Sequence, residues 1–183
     1  MKLVILDRDG VINHERPHLV QSPEDWEPLP GSLEAIAKLC HAGVRVVVAT
    51  NQSGVGRGLF DVFALNRIHQ KMHKALLRLG ARLEAVFFCP HAEDSHCACR
   101  KPKPGMLLEI GRRLRADLSK VPAIGDAKRD LLAAQNAGAI PVLVLTGKGE
   151  ATRKEEPLPP DIPVFADLME AANHFIALWK NET

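Results

Sequence analysis

Leu3-Val4-Ile5-Leu6-Asp7-Arg8-Asp9-Gly10 decides the fold. Four consecutive apolar residues, two of them β-branched, predict a strand buried on both faces, the kind found in parallel sheets. Two carboxylates follow at the C-terminal end of that strand, where open α/β sheets place their ligands. Asp is a poor strand former, so a pair of them needs a reason. One carboxylate can attack phosphorus, a second can move a proton, and both can help hold a hard divalent cation. The plain alternative is a turn, because Asp and Gly are ordinary turn residues.

The rest of the chain repeats the pattern. Ser32 is a candidate N-cap for a helix carrying Leu33, Ile36, Ala37 and Leu39, with Gly43 just past its end. Val44 to Ala49 is a second buried strand ending at Thr50. Asp61 caps a longer amphipathic helix with Phe63, Leu65, Ile68, Met72 and Leu76. A third strand, Ala85 to Phe88, runs into Cys89. A helix follows Pro104, then a short strand over 121–124 whose Pro122 is unusual there. A helix over 128–137, a strand over 142–145 and a loop over 146–160 come next. The last helix, 167–179, is expected to pack through Leu168, Ala171, Phe175 and Leu178. Strands alternating with helices imply βαβ units and a parallel sheet. Asp7, Thr50 and Gly125-Asp126 are each the first polar residues after a strand, so they should converge on one edge.

The 183 residues suffice for one domain over 1–183, and no insertion large enough for a cap domain interrupts them. A net charge of +2 is too small to mark nucleic acid or an anionic membrane as a partner. With 46% hydrophobic and 25% charged residues the composition is that of a globular protein, and no apolar run reaches the length of a membrane span. A cytoplasmic monomer is expected. In that reducing setting, three of the 4 cysteines lie close together, which favours metal over disulfides. Cys89-Pro90-His91, five residues, then Cys97-Ala98-Cys99 make a full tetrahedral zinc set with no open position for catalysis. The expected zinc is structural, and its loop delivers Arg100 and Lys101. Chance clustering of reduced cysteines is the alternative. His91 is preferred to His96 as the fourth ligand, and Cys40 reads as core.

Together, Asp7, Asp9, Thr50, Lys101 and Asp126 resemble the active-site set of the haloacid dehalogenase superfamily. Its four motifs stand here as Leu6-Asp7-Arg8-Asp9-Gly10-Val11, Ala49-Thr50-Asn51, Arg100-Lys101-Pro102 and Ile124-Gly125-Asp126 with Asp130. The resemblance implies a three-layer Rossmann-like parallel sheet and phosphoryl transfer through an aspartyl phosphate. Asp7 is then the nucleophile and Asp9 the general acid and base. Mg²⁺ is held by the Asp7 carboxylate, the Asp9 main-chain carbonyl and Asp126, while Thr50 and Lys101 bind the transferring phosphoryl group. Singly, Thr50 reads as a strand residue and Lys101 as a solvated lysine.

The zinc loop before Arg-Lys-Pro narrows the resemblance to two branches. Ser53 and Arg57-Gly58 lean toward the branch that removes the C7 phosphate of a heptose 1,7-bisphosphate, and away from histidinol-phosphate phosphatases. A small sugar bisphosphate is therefore the expected substrate. Its contacts are expected from short loops: Glu15, Arg16, Pro17, His18, Asn51, Gln52, Ser53 and Arg100, with Arg100 reading the second phosphate. Two departures stand out: the zinc loop is short, and Ala127 follows Asp126 where many relatives carry Lys. From other classes, a metal-dependent glycosyltransferase would leave Thr50, Lys101 and Gly125-Asp126 unexplained, and a non-catalytic zinc-stabilised binding module would release no phosphate.

Overall fold

The apolar run at the start of the chain is the strand β1 (Leu3–Leu6), with all four residues buried. A computed structural model describes residues 2–155, 158–159 and 161–181. After β1 come α1 (Ser32–His41), β2 (Arg45–Asn51), α2 (Ser53–Gly56), α3 (Val62–Leu77) and β3 (Ala85–Cys89). Then follow α4 (Gly105–Leu114), β4 (Pro122–Gly125), α5 (Lys128–Ala137), β5 (Ile140–Val144), α6 (Gly149–Thr152), β6 (Val164–Phe165) and α7 (Leu168–Lys180).

Among the described residues the six strands form one parallel sheet in the order β3-β2-β1-β4-β5-β6. Strand β1 is central, with Leu6 opposite Val48 on one side and Ile124 on the other. Strand side chains alternate between faces. Val4, Leu6, Val46 and Val48 therefore pack against α1, α3 and α7, while Leu3, Ile5, Val47 and Ala49 pack against α4 and α5. The result is the expected three-layer sandwich. Chain order reverses between β1 and β4, which opens a crevice at their C-terminal ends. Pro122 is tolerated because it is the first residue of β4.

Several local expectations need correction. Ser32 is not the N-cap of α1; Gly31 takes that place, and the Ser32 hydroxyl donates to the Ile12 and Leu29 carbonyls. That anchors the loop after β1. Leu178 is exposed, and Ile176 and Trp179 fill the buried face of α7. The 146–160 loop contains the helix α6, with residues 156, 157 and 160 outside the described ones. The two-residue strand β6 was too short to carry a period.

Asp61 does cap α3, accepting from the Ala64 N–H at 2.7 Å. Between β1 and α1 the described chain forms only isolated bridges, Asp9 with Asn13 and Asn13 with Pro28. Among the described residues no cap covers the crevice from that insertion point. No helix among the described residues is long and apolar enough to cross a membrane.

Candidate active site

At the ends of β1 and β4 the strand register places Asp7 and Asp126 side by side. The Asp7 N–H donates to the Ile124 carbonyl at 2.9 Å. Asp7, Asp126 and Asp130 form a buried cluster whose carboxylate oxygens lie within 4.8 Å of one another. Burial raises the Asp7 carboxyl, and Asp130 adds to it against the pull of Lys101; the result is about 6. Asp126 is pushed up to about 8, first by burial and then by Asp7 and Asp130. Such crowding favours protons, or a divalent cation in their place.

Asp126 is held with little freedom. Its Oδ2 accepts from the Lys148 backbone N–H at 2.7 Å, and its main-chain carbonyl accepts from the Thr152 hydroxyl at 2.7 Å. Its Oδ1 is buried without a partner among the described residues. Gly10 and Gly147 close around this carboxylate at φ +83° and +57°, and a Cβ on either would fall 2.0 or 2.2 Å from Oδ2. Neither position accepts a side chain.

Lys101 arrives from the zinc loop and is only 4% exposed. Its Nζ lies 3.0 Å from Asp7 Oδ1, 2.6 Å from Asp130 Oδ1 and 2.8 Å from the Ala49 carbonyl. Burial opposes its charge, but Asp130 and Asp7 outweigh burial and raise its pKa above the usual value. Asp130 Oδ2 also accepts from the Ala127 N–H, so this carboxylate anchors both the lysine and the start of α5. Asp7 and Asp126 are left as the carboxylates free to hold a metal.

Asp9 faces the cleft differently. Burial would raise its pKa, but the Arg8 guanidinium, with hydrogen bonds from Asn13, Arg8 and Gln52, brings it below the usual carboxylate range. Asn13 Nδ2 donates at 2.8 Å and Gln52 Nε2 at 2.9 Å. Gln52 also donates to the Thr50 hydroxyl at 2.9 Å, which links the ends of β1 and β2. Thr50 is 1% exposed.

The cleft above these groups is lined by Asp9, Glu15, Arg16, Asn51, Gln52, Ser53, Arg57, Glu93, Arg100, Arg129 and Lys148, with Leu19 and Val20. Glu15, Arg16, Asn51, Gln52, Ser53 and Arg100 thus come together. Pro17 and His18 do not: both are exposed and outside the lining, and His18 faces Asp25 at 3.5 Å. The turn after Arg16 carries them away from the crevice. Asn51 clamps the Lys101 backbone in both directions, at 3.0 and 3.1 Å, in addition to lining the cleft.

Arg8, Asn13, Arg129 and Lys148 were missed in the sequence. Arg129 offers the cleft a cation near Asp7 and Asp126, two positions beyond Ala127.

Cys89, His91, Cys97 and Cys99 also converge, with ligand atoms within 4.8 Å. Cys89 Sγ lies 3.7 Å from Cys97 Sγ and 3.3 Å from Cys99 Sγ, and His91 Nδ1 lies 3.5 Å from Cys89 Sγ and 3.3 Å from Cys99 Sγ. A tetrahedron with metal–ligand distances of about 2.0–2.3 Å has edges of roughly 3.3–3.8 Å, so the four donors fit zinc. The loop is tied to α2 through the Gly56 N–H on the Pro90 carbonyl at 2.7 Å. His96 is outside the cluster.

A nucleophile-ready carboxylate beside a buried lysine, at the switch point of a parallel sheet, defines a phosphoryl-transferring α/β hydrolase. Residues 98–171 match the HAD-hydrolase-like family model. The chain is 53% identical to D-glycero-beta-D-manno-heptose-1,7-bisphosphate 7-phosphatase of Bordetella bronchiseptica, over 96% of this chain and 98% of that protein. It is 45% identical to the enzyme of the same name from Neisseria meningitidis, over 96% and 95%. The crystal structure of D,D-heptose 1,7-bisphosphate phosphatase from B. bronchiseptica, complexed with magnesium and phosphate, superposes with a TM-score of 0.96 at 52% identity, covering 97% of this chain and 99% of that one. The chain therefore belongs to the haloacid dehalogenase-like hydrolases and, within them, to the family of these heptose bisphosphate phosphatases; it is a phosphoric monoester hydrolase.

Proposed function

We propose that the chain hydrolyses the C7 phosphate of D-glycero-β-D-manno-heptose 1,7-bisphosphate, giving heptose 1-phosphate and phosphate. The observation that carries this reading is Asp7, 3.0 Å from the buried Lys101 and clustered with Asp126, in a chain whose near-full-length relatives bear that name. The β anomer is the one those relatives' names specify.

In the first half of the reaction the Asp7 carboxylate attacks phosphorus. The P–O7 bond breaks, and Asp9 delivers a proton to the departing sugar oxygen. Lys101 and Thr50 hold the phosphoryl oxygens as charge develops. In the second half water attacks the aspartyl phosphate, Asp9 takes the water's proton, and Asp7 is released. The ionised state that Arg8, Asn13 and Gln52 favour at Asp9 suits this second role. Its proton for the first half then comes with the substrate's own monoester. The Asp7 and Asp126 carboxylates and the Asp9 carbonyl are the residues that would hold Mg²⁺, which when bound offsets the phosphoryl charge and keeps nucleophile and phosphorus in line.

Arg100 reads the second phosphate. Among the described residues its guanidinium pairs with the exposed Glu93 at 2.8 Å, and its buried Nη1 has no partner there, so a donor is left for an anion in the cleft. Cys89, His91, Cys97 and Cys99 hold a structural zinc that supports Arg100 and Lys101. The chain works as one uncapped phosphatase domain, a cytoplasmic monomer acting on a small soluble sugar.

Phosphate release tests the assignment. With Mg²⁺, kcat/KM should be highest on the β-heptose 1,7-bisphosphate, lower on its α anomer, and lowest on fructose 1,6-bisphosphate and histidinol phosphate. Preference for histidinol phosphate would overturn it.

A further inference from the structure

On α3 the positions that face the core are Leu65, Ile68, Met72 and Leu76, all fully buried. His69 lies among them at 7% exposure. A buried imidazole needs a hydrogen-bond partner. Its Nε2 is 3.2 Å from Arg8 Nη1. A guanidinium has donors only, so His69 is the acceptor, which requires a neutral ring protonated on Nδ1.

Arg8 is itself fully buried. Its Nε and Nη2 point the other way, to Asp9: Nε to Oδ1 at 3.2 Å, Nη2 to Oδ1 at 3.0 Å and to Oδ2 at 3.1 Å. One planar group is thus gripped at both ends. With His69 behind it, the guanidinium plane has a fixed direction, and so does the carboxylate it forks. Neither His69 nor Arg8 lines the cleft.

We propose that His69 is a positioning residue for Asp9: acting through Arg8, it sets the direction in which the Asp9 carboxylate meets the departing oxygen. This rests on the reading of Asp9 as the general acid. Asn13 and Gln52 hold the same carboxylate from other sides, so losing His69 loosens the acid without removing it. Proton transfer is sensitive to such small misplacements. A leaving group that needs no proton is not.

The test compares heptose 1,7-bisphosphate, whose departing sugar oxygen needs a proton, with p-nitrophenyl phosphate, whose phenolate leaves without one. Both are measured with Mg²⁺ on wild type, His69→Leu, His69→Gln and Asp9→Asn. His69→Leu should lose about tenfold in kcat on the bisphosphate, the scale of one charged hydrogen bond, with KM little changed and less than about twofold lost on the aryl ester. His69→Gln, whose amide oxygen can accept from Arg8, should recover most of that loss. The ratio of the two substrates on one preparation does not depend on the folded fraction, so a partly unfolded variant still reports. An equal fall on both substrates, or no rescue by Gln, overturns the proposal. If Asp9→Asn itself shows no preference for the aryl ester, the assignment of Asp9 as the acid fails instead.

Discussion

The carboxylate site and the thiolate loop both fit metals, yet the chain builds them in opposite ways. Asp7 and Asp126 are 5% and 0% exposed and hang from neighbouring central strands, with two glycines and a backbone N–H closing around Asp126. From Pro90 to Arg100 no residue is buried, so the loop has no core of its own. The sheet would keep the first site in shape without its metal. On the proposed reading the loop depends on its metal for its shape. The proposed function thereby divides chemistry from scaffold: one metal would serve the reaction, the other would hold the loop that delivers Lys101 and Arg100 to it.

The largest effect expected from this division is on the sheet side. Asp7→Asn should abolish turnover, by at least about a thousandfold, because an amide forms no acyl phosphate. Its zinc content and melting temperature should stay near wild type. A fold that collapses in Asp7→Asn would break the comparison.

Next in size is removal of zinc by chelation, or Cys97→Ser. Lys101 loses its placement on Asp7, and one such charge-stabilising donor accounts for about a hundredfold in rate. Hydrogen exchange should show loss of protection over 90–103 while β1 and β4 stay protected. A loop that remains protected without zinc would contradict the account.

Arg100→Ala should cost about ten- to a hundredfold in kcat/KM on the heptose bisphosphate, the scale of a lost charge-assisted contact, and much less on a simple monophosphate ester. Equal losses would mean that Arg100 does not read the second phosphate.

The smallest effect is thermodynamic. Asp7 and Asp126 keep protons up to about 6 and about 8, against 3.8 ordinarily. Their raised pKa values contribute stability that is complete below about pH 4 and lost as pH rises through 6 and 8 in the metal-free protein. Mg²⁺ takes the place of those protons. The rise in Tm on adding Mg²⁺ should therefore be larger at pH 8.5 than at pH 5, at roughly 2–4 °C per kcal/mol. A gain that is equal at both pH values, or larger at pH 5, would speak against Asp7 and Asp126 as the ligands.

How legible each part was in the sequence follows from how it is held. Asp7, Thr50 and Asp126 end apolar strands, so their convergence could be read from alternation alone. Lys101 could not, since nothing local distinguishes a lysine destined for 4% exposure from a solvated one; the motif resemblance supplied it. The clustering of Cys89, His91, Cys97 and Cys99 was readable because Cys-x-His and Cys-x-Cys pairs have few uses other than holding a metal. Arg8 was hidden by its own motif: flanked by two acids, it reads as a turn residue, yet its side chain folds into the core. Pro17 and His18 were misplaced because loop direction is set by tertiary anchors such as Ser32 on the Ile12 carbonyl, which no local pattern announces.

The central claim, that Asp7 carries the phosphoryl group, is tested most directly by rapid acid quench of the Mg²⁺-loaded enzyme during turnover of heptose 1,7-bisphosphate, followed by peptide mass spectrometry. The account predicts a phosphoryl adduct on the peptide containing Asp7, formed within the first turnover and absent in Asp7→Asn. Full turnover with no adduct at any quench time, or an adduct on another residue, would contradict it.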